Sequence, residues 1–385
     1  MINPSCTLKL ESHWISLAVV GEMDYAYTRT QSMQLGSVLS ISFPNSRAFL
    51  KPPETVVRWG VIGLGRLVTE LIAPSIVRSP RSQLVGCAGS TPEKSRAFAR
   101  QFGAQRAYSS IDELAADRDI DAIFIATPNA LHHSMVLAAA RAGKHILCEK
   151  PFALSAKDGR EMIEACRAAG VILRVGFQIR LEEILVRARE LVRSGALGEL
   201  RAVQFERTAG HAFKKKAWRM EATQGGALFD IMVHLLDLVE WITALRFREV
   251  SAYSHPDRRA GASDETIAVL GNLDDGCHAA LRASREIPYG ENNLLIQGTQ
   301  GTLITSALRF AEEHTLRIKT AAGVVEERFK ATPIYQREIE AFEEEVRGGA
   351  GVLASGEDGV RSIEVTAAIL ESINSRRSVA VQPAD

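Results

Sequence analysis

From about residue 56 the chain alternates short apolar runs with longer stretches of helical spacing. Val56 to Ile62 is apolar enough for a buried strand, and Gly63-Leu64-Gly65 breaks it. Arg66 to Arg78 follows with helical periodicity, and Pro74 bends it or ends its first part. Gln83 to Ala88 reads as a strand, and Pro92 to Phe102 as a helix with proline in its first turn. Ser110 and Glu113 have capping-box spacing, so a short helix is expected there. Ala122 to Ala126, His145 to Glu149 and Val171 to Gly176 read as further strands. Leu131 to Ala142 and Ala156 to Ala169 read as helices, closed by Gly143 and Gly170. Such alternation predicts a parallel, doubly wound sheet with right-handed crossovers.

After Gly176 the texture changes. Strand-like segments crowd together at Arg201 to Thr208, Thr266 to Leu273, Cys277 to Ala283, Asn293 to Gln297 and Leu303 to Thr305. Asp275-Gly276 between two of them is a hairpin signal. One helix, Gly226 to about Thr243, is embedded among the strands, and two more, Tyr335 to Arg347 and about Asp358 to Ser375, finish the chain. The expected fold class is therefore α/β. A Rossmann domain spans 55–178, and an α+β domain with an open, mostly antiparallel sheet spans 179–385. Residues 1–54 have weak periodicity and end in Lys51-Pro52-Pro53, a stiff punctuation. They read as an N-terminal extension: a presequence, a flexible segment, or translated sequence upstream of the true start. Glu11, Glu22 and Asp24 weigh against a transit peptide.

Composition narrows the function classes. The 385 residues carry 46 Lys plus Arg against 46 Asp plus Glu, so no basic field exists to attract nucleic acid. Lys214, Lys215 and Lys216 form only a local basic run. Five scattered cysteines without a CxxC pair argue against a zinc ribbon or disulfide framework and fit a reducing compartment. No apolar run approaches the roughly 18 residues that span a bilayer. A soluble, cytoplasmic protein is expected, with neither nucleic acid nor membrane as partner.

Chemistry enters at the ends of the predicted parallel strands. Gly63, Leu64, Gly65, Arg66 and Leu67 form a glycine turn opening a helix, where backbone can approach a pyrophosphate. Val68 stands where a third small residue is usual. The tip of the second strand has no Asp or Glu to hold ribose hydroxyls. Ser90, Thr91 and Lys94 stand there instead and suit a 2′-phosphate, so NADP is preferred over NAD. Ser90 or Thr91 capping the next helix is compatible with that reading. Further along lie Thr127-Pro128-Asn129 with His132 and His133, then Glu149-Lys150-Pro151. On pattern alone Lys150 could be an ordinary exposed lysine, and either histidine a helix-start residue.

Together with Gly225-Gly226-Ala227-Leu228-Phe229-Asp230-Ile231-Met232-Val233-His234, these motifs resemble the glucose–fructose oxidoreductase / inositol dehydrogenase / MocA family. The resemblance runs from about Arg58 to the C-terminus, and Val68 is its one clear departure. It implies a hydride passing between nicotinamide and a carbon bearing the hydroxyl or carbonyl of a sugar or polyol. By the same resemblance Lys150 contacts the reacting oxygen, Asp230 binds substrate and His234 is the acid/base. The glycine turn, Ser90, Thr91, Lys94, Thr127 to Asn129, His132, Glu149 and Lys150 hold the cofactor. Asp230 and His234, four apart, share one helix face. A metal held by Asp230, His234 and Asp237 is a minor alternative. Arg180, Trp218 and Arg219 are further substrate-binding candidates, Trp218 being equally suited to a core. Pairing through the open sheet faces into a homodimer or homotetramer is implied as well. The competing readings are a cofactor-binding sensor without catalysis, and an eliminating or hydrolysing enzyme that retains its NAD.

Overall fold

The computed structural model describes residues 56–210, 217–306 and 312–382, so residues 1–54 and Lys214 to Lys216 lie outside the described residues. Two sheets organise it, of seven and nine strands.

The first sheet is built from β1 (Val57–Ile62), β2 (Ser82–Ala88), β3 (Arg106–Tyr108), β4 (Ala122–Ile125), β5 (His145–Glu149) and β6 (Leu173–Gly176). They pair in parallel in the order β6-β5-β4-β1-β2-β3. The order reverses between β1 and β4, the switch point at which doubly wound sheets open a crevice for ligands. Helices α1 (Ala73–Arg78), α2 (Pro92–Phe102), α3 (Ile111–Ala116), α4 (His132–Arg141) and α5 (Ala156–Ala169) make the crossovers. The expected bounds of α2 and α5 match the observed ones. Thr91 caps α2 by accepting from the Lys94 amide, and Gly170 ends α5 at φ +66°. Ser110 caps α3, but Glu113 reaches the amide and hydroxyl of Ser109 instead of closing the box on Ser110. The helix after the glycine turn begins as a wide π-type turn, Val68–Ile72, before α1. Val68 is fully buried there, so the bulkier residue is absorbed into the core beneath the sheet.

Helix α6 (Glu183–Arg193), which the periodicity reading leaves unassigned, leads to the second sheet. Its strands are β7 (Leu200–Thr208), β8 (Phe247–His255), β9 (Thr266–Leu273), β10 (His278–Ser284), β11 (Leu294–Gly298), β12 (Gly301–Ser306), β13 (Glu313–Thr320) and β14 (Gly323–Lys330). All pair antiparallel except β7 with β10, so the sheet is mostly antiparallel. Asp275 and Gly276 turn the β9–β10 hairpin with φ of +57° and +68°. Helix α7 (Val233–Thr243) packs on this sheet and is buried along nearly its whole length.

The last helices tie the C-terminal part of the chain to both sheets. Helix α8 (Ile334–Val346) covers the first sheet, with Phe342 against Trp59 at 5.2 Å between ring centroids. Burying Ile339 and Phe342 there contributes roughly 1.5–3 kcal/mol each. Strand β15 (Ala354–Ser355) then pairs antiparallel with β6 as the first sheet's edge. Helix α9 (Gly356–Ser375), opened by a Ser355–Asp358 capping box, packs against α5, α7 and β8. Strand β16 (Val379–Ala380) edges the second sheet. No helix among the described residues is long and apolar enough to cross a membrane.

Candidate active site

The glycine turn sits at the switch point. Gly63 has φ +92°, and a Cβ on it would lie 2.3 Å from the Ala126 carbonyl oxygen. Only glycine lets the β1 and β4 loops approach so closely. Gly89, at the tip of β2, rests on Leu64. Beside it Lys94 Nζ donates to Ser90 Oγ at 3.0 Å in solvent, forming a small polar cluster.

The two loops after β4 and β5 are stapled by His132. Its Nδ1 lies 2.9 Å from the Pro151 carbonyl oxygen and its Nε2 3.1 Å from that of Thr127. The ring is wholly buried, and desolvation lowers its pKa. His132 thus spans the two loops, its neutral ring donating from one nitrogen to one of these carbonyls. Asn129 Nδ2 donates to the Gln224 carbonyl at 2.8 Å and so joins this crevice to the turn at Gly225-Gly226.

That second glycine turn is built like the first. Gly226 has φ +103°, and the helix beyond it also begins as a π-type turn, Leu228–Met232, before α7. The turn is held by Asp264, whose Oδ2 accepts from the Leu228 amide at 2.9 Å. Asp264 also pairs with Arg258, which donates to the carbonyls of Ala222 and Gly225.

This scaffold brings Lys150, Asp230, Arg219 and His234 together. Lys150 Nζ donates to the backbone carbonyl of Asp230 at 2.7 Å. The Asp230 carboxylate accepts from Arg219 at 2.8 Å and from Arg285 at 3.1 Å. It is therefore clamped by two arginines. The His234 ring meets the edge of Phe177 at 5.8 Å, and its buried Nδ1 has no hydrogen-bond partner. Desolvation, then the charges of Lys150 and Arg207, push the imidazole well below its usual pKa. Burial likewise lowers Lys150 against the opposing pull of Asp230 and Glu149.

Arg180 lies elsewhere. It forms a buried ion pair with Asp237 and reaches Asp358, in a cavity of about 260 Å³ whose lining includes neither Lys150 nor His234. Arg180 and Asp237 are thus engaged with each other. Trp218 is half-buried, with the Arg219 guanidinium 4.8 Å from its ring centre.

Arg207, Arg285, Tyr335 and Glu338 are site residues that the motif reading passes over. Arg207 extends the inward face of Val203 and Phe205 on β7, a charged residue on an otherwise apolar alternation. Glu338 shares a helical face with Ile339 and Phe342, and both its carboxyl oxygens are buried without partners. Its neighbour Glu149 is buried too, with Oε1 unpartnered. Desolvation holds Glu338 well above the carboxylate range and pushes Glu149 up to about 7. An acid raised on folding stabilises below its unfolded pKa, and that contribution is lost as pH rises through the folded one. Glu149 thus lowers stability between about pH 4.5 and 7. Glu149→Gln should match the parent in urea midpoint at pH 4 and exceed it at pH 8; equal midpoints at both would contradict the shift.

The unpartnered buried atoms Thr127 Oγ1, Glu149 Oε1 and His234 Nδ1, with the cradle at Gly63, fit a polar group such as nicotinamide ribose entering the crevice. Residues 57–177 match the family model described as an oxidoreductase family with NAD-binding Rossmann fold, and 185–304 match its C-terminal domain model. Fold and site define an NAD(P)-dependent oxidoreductase acting on CH–OH groups. A 1,5-anhydro-D-fructose reductase of Ensifer adhaerens is 30% identical over 82% of this chain and 96% of that one. A myo-inositol 2-dehydrogenase of Thermotoga maritima is 26% identical over 85% of this chain and 99% of its own length. The crystal structure of an aldose–aldose oxidoreductase from Caulobacter crescentus superposes with a TM-score of 0.75 at 26% identity, covering 84% of this chain and 99% of that one. The chain belongs to the Gfo/Idh/MocA oxidoreductase family.

Proposed function

We propose that this enzyme interconverts a hydroxyl and a carbonyl on a sugar, polyol or related compound, with Lys150 and His234 handling the oxygen and its proton. The observation that carries this is the convergence of Lys150 Nζ, fixed on the Asp230 carbonyl, with a buried imidazole whose Nδ1 has no protein partner. Gly63 to Leu67, Ser90, Thr91, Lys94, Thr127 to Asn129, Glu149 and Lys150 would hold the dinucleotide. When bound, the nicotinamide supplies the hydride acceptor or donor.

On the oxidation side His234 would take the hydroxyl proton of the carbinol as it becomes a carbonyl. Lys150 steadies the negative charge that builds on that oxygen. Reduction runs the same path backwards, with His234 giving the proton. The lowered basicity of His234 keeps it neutral, and so able to accept, down through pH 6.5. Asp230 works indirectly. Its carboxylate fixes Arg219 and Arg285, and its backbone oxygen aims Lys150. The named activities of the relatives support a carbohydrate-like substrate.

NADP is the proposed cofactor. Lys94 and Ser90 offer a cation and a hydroxyl at the tip of β2, and that tip carries no acid to hold ribose hydroxyls. Thermal-shift titration with NADPH and NADH, followed by oxidation assays on a polyol and sugar panel, tests both parts. Lys94→Glu should weaken NADPH by about tenfold while sparing NADH. A larger parental shift with NADH would overturn the preference. A homodimer or homotetramer through the open face of the second sheet is proposed as well, since Tyr253 and Leu270 stand exposed there.

A further inference from the structure

Arg285 directly follows β10, and its side chain is only 4% exposed. Nη1 donates to Asp230 Oδ2 and to the Arg219 carbonyl, each at 3.1 Å, and Nη2 donates to Glu265 Oε1 at 3.1 Å. The backbone amide of Arg285 donates to the Glu265 carbonyl at 2.8 Å, which fixes the root of the side chain. Its Nε is buried without a partner, a cost that the bonds of the other two nitrogens must offset. Arg219 and Arg285 stand against Asp230 and Glu265, two cations against two anions. Balanced in charge, the cluster has geometry rather than anion capture as its task.

Two of the three acceptors belong to the site. The Arg219 carbonyl also accepts from the Gly226 amide at 3.2 Å, and a Cβ on Gly225 would lie 2.1 Å from it. The segment carrying Trp218 and Arg219 is thus pressed onto the glycine turn at an atom that Arg285 holds. Asp230 stands in the π-type turn Leu228–Met232, a shape that recurs at functional sites. Arg285 takes Oδ2 of its carboxylate from inside, and Arg219, 27% exposed, takes Oδ1 from outside at 2.8 Å. The backbone oxygen of the same Asp230 receives Lys150 Nζ at 2.7 Å. A displaced Arg285 therefore reaches Lys150 through Asp230, and reaches Trp218 and Arg219 through one carbonyl. Moving a reacting group by about 1 Å can cost on the order of 100-fold in rate.

We propose that Arg285 is a positioning residue, holding Asp230 and Arg219 in register so that Lys150 keeps its anchor beside the reacting oxygen. This rests on the proposed oxidoreductase reading and adds a residue to it. The test reads Lys150 directly. The full chain, without cofactor, is acetylated at mildly alkaline pH with a limiting N-hydroxysuccinimide ester, and mass spectrometry follows Lys150 against the exposed Lys157. Arg285→Met should raise the Lys150 rate relative to Lys157 by about fivefold, the effect of one lost hydrogen bond. It should lower kcat by about 10- to 100-fold. Arg285→Lys should recover part of both, since it keeps a charged donor without the planar fork. NADPH thermal shifts verify folding. If Arg285→Met fails that check, Arg285→Lys decides alone, with a smaller rise at Lys150 expected. Unchanged Lys150 labelling, a general rise that Lys157 shares, or unchanged kcat in a folded variant would overturn the proposal. A parent that turns over nothing in the panel, while the substitution still releases Lys150, would sink the oxidoreductase reading alone. Turnover that survives the substitution with Lys150 unmoved would sink the Arg285 proposal alone.

Discussion

His234→Asn should lose about 100- to 10,000-fold in kcat, the range typical of a missing general acid/base. The variant keeps a hydrogen-bonding side chain of smaller size, so the loss reports proton transfer more than packing. Lys150→Met should fall comparably, because methionine fills the stem's space but offers no charge to the developing oxyanion. The two act on one oxygen, so the double variant should lose far less than the product of the single losses. Steady-state rates on any substrate found in the panel, with NADPH binding measured alongside, decide the matter. Near-normal turnover in both single variants would remove Lys150 and His234 from the chemistry. The pH profile gives a second reading. Because His234 sits well below its ordinary pKa, the acid limb of the oxidation profile should lie below pH 6.5.

The largest stability effect is expected at Arg258. Its side chain is 4% exposed and that of Asp264 fully buried, and together they hold the turn at Gly225-Gly226 from which Asp230 and His234 are projected. Arg258→Met strands a charged carboxylate in the interior and should cost about 3–5 kcal/mol. Removing the charge as well, in Arg258→Met/Asp264→Leu, should recover part of that loss but not the hydrogen bond to the Leu228 amide. Urea denaturation of the two variants measures both numbers. A single variant within 1 kcal/mol of the parent would mean that water already shares this pair.

Much of the first lobe was legible because its signals are local. A glycine turn, proline at a first helical position and glycine at a helix end mark boundaries regardless of tertiary context, as α2 and α5 illustrate. Helix α6 was harder, since Arg and Glu occupy half its positions and the apolar stripe of Ile184, Leu185, Ala188 and Val192 is thin. Strands β13 and β14 form a largely exposed hairpin with many charges, so no buried run announced them. Within the site the division is similar. Lys150, Asp230 and His234 stand inside motifs, whereas Arg207 and Glu338 become site residues only when β7 and α8 arrive from distant parts of the chain. Arg180 is the converse case. An arginine following a strand end looks like a ligand-binding group until Asp237 and Asp358 fold onto it.

Helix α8 and strand β15 carry a consequence for how the molecule is made. Ser79 hydrogen-bonds Glu343 across 264 positions of chain, and β6 has its outer neighbour only after Ser355 has been synthesised. The nucleotide-binding lobe emerges first from the ribosome, yet its Trp59 face and its sheet edge stay uncovered until nearly the whole chain follows. Such long-range closure is slow and leaves sticky surface exposed meanwhile. The nascent first lobe is therefore a natural client for chaperones, and a fragment cut after residue 178 would keep that vulnerability permanently.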